Sequence, residues 1–344
     1  MSTVQPSEYE LEQDLLQGVS RSFALTIPQL PLELRRVVTI AYLLCRIADT
    51  IEDEENLILD QKRLFFLEFV DVVHGKASAE HFAAELSVLL SNNTPAAEKA
   101  LIRNTPHVVQ TMFSFSENQQ AALKRCVSIM STGMESFQKI KSLQGLKDLP
   151  HLNSYCYYVA GVVGEMITEL LCLYSAKIAK NKEKLFGLAA SFGQGLQMTN
   201  ILKDFWDDRG RGACWFPQDV FQKVGCDLHN LSPTKYEPAF GEGLAELIGV
   251  ARGHLDNALA YTLLIPRQET GIRKFCLWAI AMAIMSLRNI NKKRDYMSGS
   301  DIKISRRTLQ TIILATTITV MSNYLLRKLF DLMARGLPKK KILI

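Results

Sequence analysis

Apolar residues recur every three to four positions through most of the chain, the pattern of helices that bury one face. The spacing predicts helices over 34–51, 61–73, 118–143, 152–174, 184–206, 243–264, 272–291 and 305–333, with a shorter one between Pro95 and Pro106. Several are apolar nearly all round, which suits central helices of a large bundle. Alternating apolar and polar runs closed by Asn-Gly or Asp-Gly turns are missing, so strands are not expected. Pro28 and Pro31 precede the first long helix, and Pro150 can open another, because the first helical turn needs no amide hydrogen there. From 209 to 238, Gly210, Gly212, Pro217, Gly225 and Pro233 interrupt every period. A stretch that long is expected to be functional or mobile. The most apolar late run, 311–326, is short for a membrane span and carries Thr, Ser and Asn, so a buried helix is expected. Without a linker or a repeat, the pattern reads as a single large all-α bundle over 1–344, with 1–19 as an N-terminal extension and 334–344 as a basic, apolar tail.

Composition narrows the function. The chain has 344 residues, 48% of them hydrophobic and 22% charged, enough to bury a sizeable core. Its net charge of +5 is small and no basic arm occurs, so nucleic acid is not an expected partner. Seven cysteines without a C-x-x-C spacing read as reduced thiols, and the polar, acidic start carries no signal peptide. A cytoplasmic protein is expected. In the tail, three lysines beside apolar residues at 338–344 leave two readings: a solvated end, or peripheral contact with an anionic membrane surface.

Two acidic segments carry the chemistry. In Asp49-Thr-Ile-Glu-Asp53 and in Asp204-Phe-Trp-Asp-Asp208, two aspartates lie four residues apart, on one helix face. Glu52 and Asp207 add a third carboxylate to each. Like charges at that spacing repel, and carboxylates among apolar residues are costly. A cation offsets both penalties. Magnesium, or manganese in its place, prefers oxygen ligands and joins one or two carboxylates to substrate phosphates. Two such helices facing one another across a cavity could neutralise a diphosphate and help it leave. The competing reading is a solvated or salt-bridged helix face. No twelve-residue loop of alternating oxygen ligands suggests calcium.

Polar stripes surround the aspartates. Tyr42, Arg46, Asp49 and Asp53 share one face, as do Gln197, Asn200, Asp204 and Asp207/Asp208. Their flanks are apolar. A polar end on an apolar remainder suits a substrate with a charged head and a hydrocarbon tail. A third segment, Tyr155-Cys-Tyr-Tyr-Val-Ala-Gly161, holds three tyrosines, and Gly161 and Gly164 follow at i, i+3. Those glycines admit either a close-packed helix or a ligand.

These segments, with the early Ser20-Arg21-Ser22-Phe23-Ala24, resemble the squalene and phytoene synthases, head-to-head prenyl synthases of the all-α isoprenoid synthase fold. The resemblance runs from about Ser20 to Arg307, in the family's order. It implies a central apolar cavity. It implies magnesium at Asp49, Glu52, Asp53, Asp204, Asp207 and Asp208, and head-group contacts from Tyr42 and Arg46. Tyr155 would help remove a proton. Ser20, Arg21, Ser22, Phe23, Gln197, Asn200, Lys203, Arg209, Arg211 and Phe275 would line the substrate site, with 209–217 as a lid.

The region Gly299-Ser-Asp-Ile-Lys-Ile-Ser305 is similar to the late squalene-synthase segment, which implies NADPH contacts from Lys303 and Arg306. The implied ligands are farnesyl diphosphate and presqualene diphosphate, and the implied product is squalene. A dehydrosqualene- or phytoene-type synthase, an enzyme that stops at presqualene diphosphate, and an inactive helical scaffold remain alternatives. Lys203, Ala213 and Ser305 stand where the family commonly has arginine. Lysine offers a point charge in place of a bidentate fork.

Overall fold

Leu34, Val37, Ala41, Leu44, Ala48 and Ile51 are all buried and lie three or four residues apart, so the helix Leu32–Asp53 presents a continuous apolar stripe. The computed structural model describes residues 8–20 and 22–342. Arg21 of the early motif, residues 1–7 of the extension and 343–344 of the tail lie outside the described residues. Among those described there is no strand, only two isolated bridges. The chain is all-α and its contacts divide it into two units.

The first unit takes in the described residues up to Lys139, together with Glu169–Ser175. Its central helix is Leu32–Asp53, packed by Glu8–Val19, Leu59–Val73, Thr105–Phe113 and Glu117–Gln138. Phe66, Phe69, Phe82, Met112 and Met130 fill the core. A capping box opens Glu117–Gln138: Ser116 Oγ accepts from the Gln119 amide while Gln119 Oε1 accepts from the Ser116 amide. The buried Glu12 carboxylate takes three hydrogen bonds from Arg36, at 2.7–3.1 Å. Leu32–Asp53 stops where it does because Glu54 turns extended. The Glu54 carboxylate accepts from the amides of Asn56 and Ser91 and from Thr94 Oγ1, at 2.9, 3.1 and 2.6 Å. The last helical turn, which carries the first acidic segment, is thereby fixed from behind.

The second unit comprises Ile140–Thr168 and the chain from Ala176 on. Here Lys182–Lys203 packs along Pro238–Leu264, and both meet Thr270–Lys292. The predicted helix over 152–174 is Leu149–Cys156 and Val162–Tyr174 joined by a π-helical turn, Tyr157–Gly161. The glycines of this segment serve packing, one of the two readings the sequence left open. Gly164 lies against Ala189, and a Cβ on the facing Gly193 would overlap the Ala160 carbonyl. At the C-terminus of Pro238–Leu264, three side chains satisfy orphan carbonyls. Asn323 Nδ2, Asn181 Nδ2 and Arg273 Nη1 donate to Leu263, Leu264 and Ile265.

Two expectations are corrected, the first in part. Of the two readings of 209–238, functional or mobile, it is mobility that gives way, because the stretch is pinned for much of its length. Ala213–Phe216 is buried, and the Leu146 amide donates to the Phe216 carbonyl at 2.8 Å. Phe216 stacks between Phe205 and Phe221, and a short helix, Gln218–Lys223, follows. Apolar side chains too numerous for a free loop explain the difference. The late run is also not a buried helix. It forms Arg306–Thr319 and Asn323–Met333, and the first of these buries only Ile312 and Thr316. The tail beyond it folds back on Pro238–Leu264. Arg252 Nη1 donates to the carbonyls of Ala334 and Leu337, and the Lys340 amide donates to the Gly249 carbonyl.

Candidate active site

The first acidic group lies wholly in the first unit, on the last turns of Leu32–Asp53. Arg46 Nη1 bonds Asp49 Oδ2 at 2.9 Å, and its Nη2 bonds Glu98 Oε1 at 2.6 Å. Glu98 comes from Ala96–Arg103, and no local spacing could have found it. Burial opposes the charge on Arg46, but Asp49, Tyr42, Glu98 and Asp53 outweigh it and hold the guanidinium firmly charged. Burial, resisted by Arg46 and reinforced by Asp53, lifts Asp49 to about 6. Asp53 itself is exposed.

Glu52 points the other way. It is buried, its Oε1 accepts from Gln138 Nε2 at 3.1 Å, and Lys62 donates to its backbone carbonyl. Burial, with Asp53 and Asp49 behind it, raises Glu52 to about 8. One turn or more back on the same helix, the Tyr42 ring lies 5.0 Å from that of Phe23. Burial raises the Tyr42 hydroxyl to about 12, countered by Arg46 and a hydrogen bond with Ser20. Ser20 Oγ also accepts from the Phe23 amide at 2.9 Å. Ser20, Phe23, Tyr42, Arg46 and Asp49 are thus gathered as the sequence suggested; Ser22 is exposed.

The second acidic group lies in the second unit, at a corner of the chain. Lys182–Lys203 ends at Asp204, whose backbone leaves the helix, and Phe205–Gly210 resumes it. The Asp208 amide still donates to the Asp204 carbonyl at 2.9 Å, so the two aspartates keep helical spacing across the break. Lys203 Nζ lies 3.1 Å from Asp204 Oδ2, and Arg211 Nη2 bonds Asp208 Oδ1 at 2.6 Å. Burial raises Asp204 above the usual carboxylate range, with Lys203 opposing and Asp207 adding. Asp207 and Asn200 are exposed, and Gln197 is half-buried.

Tyr296 holds this corner, and the sequence reading missed it. Its hydroxyl donates to the Leu202 carbonyl, and its own carbonyl accepts from Trp206 Nε1 at 2.7 Å. Nothing in Lys292-Lys-Arg-Asp-Tyr296 marks that role in advance. Gly299 comes beside the same carboxylates: a Cβ there would sit 3.4 Å from Asp204 Oδ1 and 3.7 Å from Asp207 Oδ2. The implied cofactor segment is therefore next to the second acidic group. Lys303 and Arg306 follow it, both exposed and in no ion pair among the described residues. Ser305, in place of the family's arginine, caps Arg306–Thr319 by accepting from the Thr308 amide.

Three other sequence candidates are buried or engaged by neighbours in their own unit. Arg209 directs its guanidinium to four backbone carbonyls, those of Leu143, Leu228, His229 and Leu231. Phe275 is buried on Thr270–Lys292. Tyr155 is buried with its ring stacked on Trp215 at 4.1 Å.

Among the described residues, no three or more Asp, Glu, His or Cys form a ready-made metal cage. The first acidic group offers Asp49 and the exposed Asp53, the second offers Asp204, Asp208 and the exposed Asp207, and burial works against the charge of Asp49 and Asp204. That suits magnesium, which takes few protein oxygens and borrows the rest from water and phosphate.

The squalene/phytoene synthase family profile matches residues 16–308. The squalene synthase of Saccharomyces cerevisiae is 29% identical over 310 residues, covering 88% of this chain and 65% of the yeast protein. That of Solanum lycopersicum is 29% identical over 315 residues, with 90% and 71% covered. The chain thus spans about two thirds of the yeast relative's length. Among solved structures, a ligand complex of TcSQS superposes with a TM-score of 0.75 at 22% identity, covering 95% of this chain and 91% of that one. A dehydrosqualene synthase complex gives 0.67 at 21%, covering 92% and 97%. These likenesses extend the all-α fold.

Proposed function

The chain belongs to the squalene/phytoene synthase family, and from that premise we propose that it is a prenyltransferase that joins two farnesyl diphosphates head to head. Presqualene diphosphate is formed first and is then reduced with NADPH to squalene. One observation carries the reading. The reaction releases two diphosphates, and the chain holds two acidic pairs, each with its own cationic side chains: Asp49/Asp53 with Arg46, and Asp204/Asp208 with Lys203 and Arg211.

Asp49 and Asp53 would hold magnesium in one group, and Asp204, Asp207 and Asp208 in the other. When bound, the ion supplies charge neutralisation for a leaving diphosphate. Glu52, turned inward to Gln138, supports the helix from behind. Tyr42 and Arg46 orient the head group, Arg46 being kept charged by its carboxylate neighbours. Tyr155 relays a proton from the cyclopropane-forming carbon. A tyrosine of ordinary pKa is a poor base at neutral pH, so the final acceptor is a diphosphate oxygen. Ring faces such as Phe23 stabilise cationic carbon. The buried Ala213–Phe216 segment keeps water from Tyr155. Lys303 and Arg306 are free to take the cofactor phosphate, and NADPH supplies a hydride.

Incubation with farnesyl diphosphate and magnesium, with and without NADPH, tests this. Squalene is expected only with NADPH. The same hydrocarbon under both conditions would assign a dehydrosqualene-type reaction, and accumulated presqualene diphosphate would assign a one-step enzyme. Absence of turnover together with absence of magnesium–diphosphate binding would leave a scaffold.

A further inference from the structure

Two fixed points tie the segment 91–98 to the helix Leu32–Asp53, and the first acidic group lies between them in sequence. At one, Glu54 accepts from the Ser91 amide and from Thr94 Oγ1, at 3.1 and 2.6 Å. At the other, Glu98 Oε1 accepts from Arg46 Nη2 at 2.6 Å. Pro95 precedes Ala96–Arg103, so Glu98 stands in the first helical turn, where the helix dipole favours a carboxylate. Its neighbour Ala97 faces Gly18: a Cβ on Gly18 would sit 3.0 Å from the Ala97 Cβ. Gly18 lies two residues before Ser20. The short helix thus supports both pieces of chain at the head-group corner, the one with Ser20 and Phe23 and the one with Tyr42 and Arg46.

The Arg46 guanidinium has few other fixtures. Nη1 bonds Asp49 Oδ2 at 2.9 Å, Nη2 bonds Glu98, and Nε is buried without a hydrogen-bond partner among the described residues. The two carboxylates therefore set its orientation. Asp49 alone is a poor fixture, because the proposed function also gives it a cation to hold. Glu98 comes from a different helix, and its side chain is only 17% exposed, so its bond to Arg46 is shielded from water.

We propose that Glu98 is a positioning residue for the diphosphate head group, holding the Arg46 guanidinium in place while Asp49 serves the cation. The inference rests on the head-group role of Arg46 in the proposed function. Two effects oppose one another. The Glu98 charge lowers the local positive potential and by itself weakens anion binding. Its charge-assisted bond fixes Arg46 beforehand, which spares the ligand the cost of ordering a long side chain. The second effect is expected to win, because it acts on the group that meets the ligand, whereas the Glu98 charge acts at one side chain's remove.

Calorimetric titration of the full chain with inorganic diphosphate, in the presence of magnesium, tests it. Glu98→Gln keeps the shape and an acceptor but loses the charge; Glu98→Ala loses both. Affinity is expected to fall about threefold in the first and about tenfold in the second. In an Arg46→Ala background, Glu98→Ala should change the affinity by no more than about twofold. Should Glu98→Ala melt early, the isosteric Glu98→Gln carries the comparison. Unchanged or tighter binding in the Glu98 variants overturns the proposal, since loss of the negative charge alone would tighten it. A full tenfold loss on top of Arg46→Ala also overturns it, because Glu98 would then act by holding its helix and not through Arg46. If the parent itself binds no diphosphate, the head-group role of Arg46 falls and Glu98 with it. Normal binding by the parent with unmoved variants strikes Glu98 alone.

Discussion

The indole nitrogen of Trp206 donates to the carbonyl oxygen of Tyr296 at 2.7 Å, and the Tyr296 hydroxyl reaches the Leu202 carbonyl on the other side of the break at Asp204. The corner bearing the second acidic group is therefore braced on both flanks by one residue. Tyr296→Phe keeps the ring and removes the hydroxyl bond, a loss of about 1 kcal/mol in stability. The larger expected effect is on metal: several-fold weaker manganese binding, measured by paramagnetic resonance without substrate. Unchanged manganese affinity would reduce Tyr296 to a packing residue.

Asp49→Asn and Asp204→Asn are each expected to cut diphosphate release about a thousandfold, the scale seen when a charge-stabilising group is removed from a reacting centre. Helical circular dichroism should not change, because Asn keeps the shape of Asp. Undiminished release by either variant would refute the role of that acidic group.

Gly193→Ala should be severely destabilising, because the new methyl would meet the Ala160 carbonyl, a backbone atom that cannot swing away. Gly210 has open space where its Cβ would stand, so Gly210→Ala should melt within a degree or two of the parent. Equal melting temperatures for both variants would contradict the close helix contact.

His254 is buried, its Nδ1 lies 2.8 Å from Ser191 Oγ, and burial lowers it to about 4. Its folded-state pKa lies below the unfolded value, so the unfolded chain takes up the proton first as pH falls. The stabilising effect of a neutral His254 is present above pH about 6.5 and is lost between about 6.5 and 4, some 3 kcal/mol in all. Denaturant titrations across that window should show a smaller loss for His254→Asn than for the parent. Parallel curves would mean that His254 is protonated in the folded protein.

The helices and both acidic pairs were legible because each is written in local spacing. Leu34 to Ile51 repeats at helical intervals, and Asp49 and Asp53 announce a shared face. The failures have one physical cause: partners distant in sequence. Nothing near Arg46 indicates Glu98, and nothing near Asp204 indicates that Tyr296 would brace a break there. Periodicity ran straight through 184–206 for that reason. Glu52 looked equivalent to Asp53, yet Gln138 draws it inward. Arg209, in an arginine-rich segment, is consumed by loop carbonyls. The run 311–326 was apolar enough for a core, but apolarity alone does not say which face finds a neighbour.

The π-helical turn at Tyr157–Gly161 has a consequence for how this segment tolerates length changes. It accommodates one residue more than an α-helical turn. Deleting a single residue there would leave an α-helical turn of nearly the same angular sweep, so the flanking helices would keep their faces. Tyr155 would stay on Trp215 and Gly164 on Ala189. Inserting a residue beyond the turn, in the regular helix, would rotate one flank by about 100° and separate one of those contacts from the other.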